Sequence, residues 1–124
     1  MTVMVVEDTA ILRKIMRDIL IQYCDILDED IYEAEDGVKA LQQYKIVRPD
    51  LVFLDIAMPY MNGKTAIKEI LDIDAKARII MFTGSRDGRD VQECVSAGAI
   101  DYLVKPLNPN RVKVAVKNAM KVER

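Results

Sequence analysis

Residues 51–55 of this 124-residue chain read LVFLD, four apolar residues followed by a carboxylate. A strand that is apolar at every position is typical of the middle of a parallel sheet, where helices cover both faces. We therefore predict a central strand from Leu51 to Leu54 that ends next to Asp55. The segment 48-RPD-50 before it interrupts the preceding helical pattern and marks the turn into this strand.

The sequence on either side of this stretch repeats the same arrangement. Short runs rich in Val and Ile alternate with longer segments of helical period, which is the signature of repeated βα units and a mostly parallel sheet. The other predicted strands are Val3 to Val6, Ile31 to Ala34, Arg78 to Phe82 and Ile100 to Val104. The five predicted helices begin at Thr9, at Asp36-Gly37, after the loop 56–63, near Arg89 and at Val112. The first of them carries an apolar stripe of Ile11, Leu12, Ile15, Met16, Ile19 and Leu20, which should face the sheet.

Four of the predicted strands are followed by a charged or hydroxyl side chain. Glu7 and Asp8 follow the first strand, Asp55 the third, Thr83 the fourth and Lys105 the fifth. Since the ligand crevice of an open parallel sheet lies outside the carboxyl ends of its strands, we expect these side chains to meet in one pocket. Carboxylates this close repel one another, and Mg²⁺ is the cation that binds through a few carboxylates plus water. The sequence therefore predicts a magnesium site suited to phosphoryl chemistry.

The composition limits the functions that are open to this chain. With 51% hydrophobic and 31% charged residues, residues 1–124 are expected to form one domain with a core that needs no disulfide. No apolar run approaches the roughly 20 residues that span a bilayer, and no signal peptide is evident, so we expect a cytoplasmic protein without membrane insertion. A net charge of −2 argues against direct contact with nucleic acid. Cys24 and Cys94 lack the spacing of a metal site and are predicted to be reduced, mostly buried thiols.

Histidine is absent from the sequence, which excludes His-dependent nucleophilic catalysis and a phosphohistidine carrier within this chain. Other phosphate-handling classes also fit poorly. The triplet 63-GKT-65 resembles the end of a P-loop, but Met58 stands where that motif needs its first glycine. The acidic pair after the first strand would repel the phosphate of a flavodoxin cofactor. A phosphotransferase of the dehalogenase type needs a second Asp two residues after its nucleophile, where this chain has Ala57.

Four motifs together resemble the receiver domain of two-component response regulators, and the resemblance covers the whole chain. They are the acidic pair in 5-VVED-8, the phosphoacceptor in 54-LDIAMP-59 with Gly63, the hydroxyl in 81-MFTGS-85 and the lysine in 104-VKP-106. The resemblance implies an α/β fold of the flavodoxin-like (βα)5 type, with a doubly wound five-stranded parallel sheet in the order 2-1-3-4-5. It also implies two helices on one face of the sheet and three on the other.

The resemblance implies a role for each residue of the predicted pocket. Asp55 would accept a phosphoryl group from a phosphohistidine on a sensor histidine kinase or a phosphotransfer protein. The implied magnesium ligands are Asp8, Asp55, the backbone carbonyl of Ala57 and, through a water molecule, Glu7. Lys105 and Thr83 would contact phosphoryl oxygens, and the peptide bond between Lys105 and Pro106 would be cis.

A switch is also part of the family pattern. The hydroxyl of Thr83 would turn inward on phosphorylation, the ring of Tyr102 would turn with it, and the surface formed by the fourth helix, fifth strand and fifth helix would then bind an output protein. Many family members have polar side chains at the positions of Ala57 and Ser85, so the phosphoryl lifetime should differ here. The expected chemistry is limited to Mg²⁺-dependent self-phosphorylation and slow autodephosphorylation.

Three alternatives remain open at the level of sequence. The chain is expected to be a stand-alone regulator, because it stops just past the fifth helix, but a receiver cut from a larger regulator or kinase would look the same. A pseudo-receiver that only binds partners and a hydrolase that uses Asp55 are less consistent with the residues present. A monomer or weak dimer is expected.

Overall fold

The apolar runs form five strands of one sheet. A computed structural model describes residues 1–58, 61–84 and 88–122, and within these ranges it contains five strands, five α-helices and one 3₁₀ turn at Asp28–Asp30. The strands are β1 Val3–Val6, β2 Ile31–Ala34, β3 Leu51–Asp55, β4 Ile79–Thr83 and β5 Asp101–Val104. The helices are α1 Ala10–Cys24, α2 Gly37–Val47, α3 Gly63–Ile73, α4 Gly88–Ala97 and α5 Pro109–Ala119.

The strands are parallel and lie in the order β2-β1-β3-β4-β5. Every residue of β1, β3 and β4 is buried, as expected for strands that helices cover on both faces. The predicted fold class and strand order are therefore confirmed. This order puts β3 in the middle of the sheet and β5 at one edge.

Helices cover the sheet in two layers. Alternate residues of β1 point to opposite faces, so Val3 and Val5 belong to a core that includes α1 and α5, whereas Met4 and Val6 belong to a core that includes α2, α3 and α4. The division into two helices and three helices is the one that the family resemblance implied.

The boundaries of three strands differ from the prediction by one residue. β3 includes Asp55, which lies opposite Phe82, and β4 runs from Ile79 to Thr83 rather than from Arg78 to Phe82. β5 begins at Asp101 rather than at Ile100. The pairing continues to Thr83 because its carbonyl accepts a hydrogen bond from the backbone N–H of Lys105 at 2.8 Å. Asp55 and Thr83 are thus the last residues of their strands and not the first residues beyond them.

The start of α5 was predicted at Val112, which is wrong by three residues. The helix begins at Pro109, and the side chain of Asn108 accepts hydrogen bonds from the backbone N–H groups of Asn110 and Arg111 at 2.9 and 3.1 Å. An Asn cap of this kind stabilises a helix by about 1 kcal/mol, and proline suits the first helical position. The alternation of valines after position 112 concealed this signal in the sequence.

Part of the predicted apolar stripe of α1 is exposed. Met16, Ile19 and Leu20 are buried, but Ile11 is 71% exposed and Ile15 is 41% exposed. At 3.6 residues per turn, the six side chains of the stripe span about 180° of the helix, and Ile11 and Ile15 lie at one margin. The sheet and α5 cover only the other part of the stripe.

The structure bears on the two cysteines and on whether a helix could span a membrane. Cys24 and Cys94 are both free thiols, and Cys94 is buried while Cys24 is half-buried. Among the described residues, no helix combines the length and the apolar character that a membrane span requires.

Candidate functional site

The carboxyl ends of β1, β3 and β5 bring three acidic side chains and one lysine together. One carboxylate oxygen each from Glu7, Asp8 and Asp55 lies within 4.8 Å of the others. The Nζ atom of Lys105 lies 3.2 Å from Oδ2 of Asp55 and 3.4 Å from Oε2 of Glu7. The structure therefore assembles four of the residues that the sequence predicted to share a pocket.

These side chains differ in their access to solvent. Glu7 and Asp55 are only 1% and 2% exposed, whereas Asp8 is exposed. The cluster therefore combines two carboxylates in the low-dielectric interior with one that is in contact with solvent.

The Asp55 carboxylate accepts hydrogen bonds from a backbone N–H and from a lysine side chain. Its Oδ1 atom accepts from the backbone N–H of Ala57 at 3.1 Å, and its Oδ2 atom accepts from Lys105 at 3.2 Å. The first contact is a local side-chain to backbone bond of the type that aspartate makes at the start of turns. It connects the orientation of the Asp55 carboxylate to the backbone that carries Ala57.

Gly63 fixes the loop that follows Asp55. Its backbone N–H donates to the carbonyl of Ile56 at 3.0 Å, and a Cβ atom built on Gly63 would lie 2.4 Å from the Cα atom of Ile56. Asn62 caps α3 by accepting from the backbone N–H of Thr65 at 2.9 Å. Only glycine permits this approach, so the start of α3 and the end of β3 are packed backbone to backbone.

Glu7 carries the main electrostatic cost of the cluster. Its pKa is raised from 4.5 to about 8, mainly by burial and further by hydrogen bonding to Asp55 and Asp8 and by the negative charge of Asp55, while the N–H of Thr9 opposes the shift. Three carboxylates face one ammonium group, so the site has an excess of negative charge. Hard carboxylate oxygens in this number fit Mg²⁺, which would relieve the repulsion that raises the pKa of Glu7.

Lys105 lies near the ring of Phe82, a residue that is not among those predicted for the site. Its Nζ atom lies 5.3 Å from the centroid of the Phe82 ring, within the range of a cation–π contact. Phe82 pairs with Leu103, two residues before Lys105, and residues two apart on a strand share a face. The pairing of β4 with β5 would therefore have revealed this contact. The peptide bond between Lys105 and Pro106 is cis, the isomer that the resemblance implies.

The predicted switch residues lie near the same end of the sheet. Thr83 is 2% exposed, and a Cβ atom at the adjacent Gly84 would meet no heavy atom within 4 Å. Tyr102 is 39% exposed while Leu103 is buried, since neighbouring residues of a strand point to opposite faces of the sheet. Ser85, the second position predicted to affect the phosphoryl lifetime, lies outside the described residues.

A cavity of about 680 Å³ lies between α3 and α4, away from the carboxylates. Lys64 of α3 and Glu93 of α4 are among its lining residues and form an ion pair between the two helices. None of the three acidic residues of the cluster lines this cavity.

Five parallel strands in the order 2-1-3-4-5, with an acidic cluster and a lysine at their carboxyl ends, are typical of receiver domains. The sequence matches the response regulator receiver domain family over residues 3–117, and the chain belongs to this family.

The chain is 42% identical over 118 residues to the chemotaxis protein CheY of Bacillus subtilis, a match that covers 95% of this chain and 96% of that protein. It is 40% identical over 119 residues to CheY of Thermotoga maritima, covering 96% of this chain and 97% of that protein. Among solved structures, the CheX–CheY–BeF3–Mg²⁺ complex of Borrelia burgdorferi matches with a TM-score of 0.86 and 31% identity, over 98% of this chain and 90% of that chain. The protein is thus a receiver domain of CheY-like response regulators, a class consistent with phosphorelay signalling.

Proposed function

We propose that this chain accepts a phosphoryl group on Asp55 from a phosphohistidine of a sensor histidine kinase or a phosphotransfer protein. One observation carries the proposal. Asp55 lies within 4.8 Å of two further carboxylates and its Oδ2 atom lies 3.2 Å from the ammonium group of Lys105. A nucleophilic carboxylate, a cation and a magnesium-binding cluster are together what phosphoryl transfer requires of a protein.

The chemistry follows from the same atoms. An oxygen of Asp55 attacks phosphorus, the bond from phosphorus to the histidine nitrogen breaks, and an acyl phosphate forms. Lys105 pairs with Asp55 before the reaction and is placed to contact a phosphoryl oxygen afterwards. The residues proposed to hold Mg²⁺ are Asp8, Asp55, the carbonyl of Ala57 and, through water, Glu7. Bound Mg²⁺ supplies charge neutralisation and alignment of the phosphoryl group.

The comparisons support this assignment without extending it. CheY of Borrelia burgdorferi has been crystallised in a complex with CheX, BeF3 and Mg²⁺, so the structure of a relative at 31% identity includes magnesium. We propose that the activity of this chain is limited to Mg²⁺-dependent self-phosphorylation and slow autodephosphorylation. No histidine is present to serve as a general acid or base, and Ala57 cannot take that role.

We further propose that phosphorylation changes the α4–β5–α5 surface, defined here by Val95, Tyr102 and Val114. These three side chains are 50%, 39% and 50% exposed, and exposed apolar groups are a common feature of protein-binding surfaces. Within this surface, Arg111 of α5 joins the helix to β5 by donating a hydrogen bond to the carbonyl of Tyr102 at 3.0 Å. An inward turn of Thr83 and a coupled turn of Tyr102 would then alter what a downstream output protein contacts.

Whether the chain acts alone is a separate proposal. We propose a single-domain cytoplasmic regulator, supported by CheY relatives that this chain matches over 96% and 97% of their length. Immunoblotting of fractionated cells would test this. A band near 14.1 kDa in the soluble fraction is expected, and a much larger band would show that the chain is part of a longer protein.

Intact mass spectrometry tests the phosphorylation proposal. The protein is incubated with acetyl phosphate and MgCl₂, and a single addition of one phosphoryl group is expected on Asp55, whose Oδ2 atom lies 3.2 Å from the ammonium group of Lys105 within the acidic cluster. Asp55→Asn should abolish the addition, and Asp72→Asn, which removes an exposed carboxylate on α3, should not change it. Undiminished labelling of Asp55→Asn, or labelling in excess chelator, would contradict the assignment. Turnover of acetyl phosphate without a stable adduct would favour a hydrolase. If the protein is neither labelled nor turns over acetyl phosphate, a pseudo-receiver is favoured.

A further inference from the structure

The guanidinium group of Arg13 joins the loop after β1 to the edge of the sheet. Arg13 lies in the second turn of α1, and its side chain is only 17% exposed. Its Nη1 atom donates to the backbone carbonyl of Glu7 at 2.7 Å, and its Nε atom donates to Oε1 of Glu33 at 3.0 Å. A charged donor at 2.7 Å makes a strong hydrogen bond, so this contact fixes a backbone group and not only a side chain.

Glu33, the second partner of Arg13, is itself held in place. Its other carboxylate oxygen, Oε2, accepts from Nε and Nη2 of Arg17 at 3.0 and 2.7 Å. Both oxygens of Glu33 are therefore occupied by guanidinium donors from α1. Arg13 and Arg17 thus bind separate oxygens of the same carboxylate on β2.

The carbonyl that Arg13 contacts belongs to the peptide unit between the two acidic residues. Because a peptide unit is planar, fixing the carbonyl of Glu7 also fixes the N–H and the Cα atom of Asp8. The other side of Glu7 is held as well, since its N–H donates to the carbonyl of Ala34 at 3.0 Å. Its Oε1 atom accepts from the N–H of Thr9 at 3.2 Å. Arg13 thus supplies the contact that determines how the chain leaves β1 at Asp8.

We propose that Arg13 is a positioning residue, which holds the backbone of the acidic pair in the geometry that binds Mg²⁺. The proposal rests on the proposed function, because it deepens the account of the same site. The positioning role of Arg13 and its positive charge predict opposite effects on Mg²⁺ affinity when the residue is replaced. A cation close to the cluster weakens Mg²⁺ binding by repulsion, so loss of its charge alone would tighten binding, whereas loss of its positioning role weakens binding.

The test measures Mg²⁺ affinity by titration calorimetry with MgCl₂ at constant ionic strength, in the full chain and in three variants. Arg13→Met keeps an unbranched side chain as far as the position of Nε and removes both hydrogen bonds, and its Kd for Mg²⁺ should rise about tenfold. Arg13→Lys keeps the charge, but a single ammonium group cannot reproduce the two-sided contact, so its Kd should also rise. Arg17→Met is the matched control, because it removes a guanidinium group from the same carboxylate without touching the carbonyl of Glu7.

A kinetic measurement separates positioning from general loss of structure. With acetyl phosphate as donor, Arg13→Met should need about tenfold more Mg²⁺ for half-maximal labelling of Asp55, while the maximal rate at saturating Mg²⁺ changes by less than about twofold. Asp55 and Lys105 are unaltered in this variant, so the labelling rate at saturating Mg²⁺ should stay close to that of the wild type.

The outcomes distinguish this proposal from the proposed function. If the wild-type chain neither binds Mg²⁺ nor becomes labelled, the proposed function fails. If the wild type binds Mg²⁺ and Arg13→Met binds it equally or more tightly, the positioning role is wrong and the proposed function stands. If Arg13→Met and Arg17→Met weaken Mg²⁺ binding equally, the positioning role of Arg13 is also wrong, because the effect would then come from the ion pairs with Glu33. If Arg13→Met does not fold, Arg13→Lys is the deciding variant, and an unchanged Kd for Mg²⁺ in Arg13→Lys would show that the positioning role is wrong.

Discussion

Replacing Gly63 with alanine should separate the end of β3 from the start of α3. The added Cβ atom would lie 2.4 Å from Cα, 2.9 Å from Cβ and 3.0 Å from Cγ2 of Ile56. The closest of these is a backbone atom, so the overlap of about 1 Å cannot be relieved by a change of rotamer and the loop after Asp55 must move. That loop carries the N–H of Ala57, which donates to Oδ1 of Asp55.

The expected magnitude combines two terms of opposite sign. Overpacking of this kind costs about 1–3 kcal/mol, and alanine recovers roughly 0.5–1 kcal/mol relative to glycine within a helix. A net loss between about 0 and 2.5 kcal/mol, centred near 1 kcal/mol, in the free energy of unfolding is therefore expected. The Kd for Mg²⁺ should rise as well, because the loop that moves includes the proposed carbonyl ligand of Ala57.

Urea denaturation in chelator and calorimetric titration with MgCl₂ would measure the two effects. Gly88→Ala is the matched control, since a Cβ atom at Gly88 would meet nothing within 4 Å. Its stability should be unchanged or raised by about 0.4–1 kcal/mol, with the Kd for Mg²⁺ unaltered. The reasoning would be refuted if Gly63→Ala were as stable as Gly88→Ala and bound Mg²⁺ equally well.

Two further predictions concern the charge of the cluster and the lifetime of the acyl phosphate. In chelator, the free energy of unfolding should fall as the pH rises from about 5 to about 8, because folded Glu7, with a pKa of about 8, keeps a proton that the unfolded chain releases near 4.5. Glu7→Gln should remove most of this slope and stabilise the metal-free protein by on the order of 2 kcal/mol at pH 7.5, and equal pH profiles for the two proteins would contradict the assignment. The acyl phosphate on Asp55 should be lost slowly, because Ala57 offers no group to orient the attacking water, and both Ala57→Asn and Ser85→Glu should speed its loss when it is timed by intact mass. If both substitutions slowed the loss, water positioning by these side chains would be wrong.

The strand ends could be predicted from the sequence because the signal there is local. Runs such as LVFL and IIMF differ clearly from the helical segments between them, and each ends at a residue of the predicted site. Parallel pairing then brings Asp55 and Lys105 together whatever the details of the loops. Errors in the boundaries arose where two local signals competed, as in α5, where alternating valines follow the cap at Asn108.

The contacts that tune the site were not visible in the sequence. The approach of Gly63 to Ile56 depends on how the loop closes, and the bond from Arg13 to the carbonyl of Glu7 depends on the rotamer of a long side chain. Neither leaves a periodic pattern. Similarly, the periodicity of α1 predicted an apolar face but not that Ile11 would remain uncovered, since periodicity describes one helix and burial depends on its neighbours.

The position of β1 between β2 and β3 has a consequence for how the chain folds. Val3–Val6 is buried along its whole length and pairs on one side with Ile31–Ala34 and on the other with Leu51 onwards. An amino-terminal strand with this placement stays unpaired on one edge until the middle of the chain has been synthesised. Such an apolar edge is a template for pairing with other chains, and non-local parallel pairing forms slowly. We therefore expect nascent chains that end before residue 51 to be more prone to aggregation than chains that include β3.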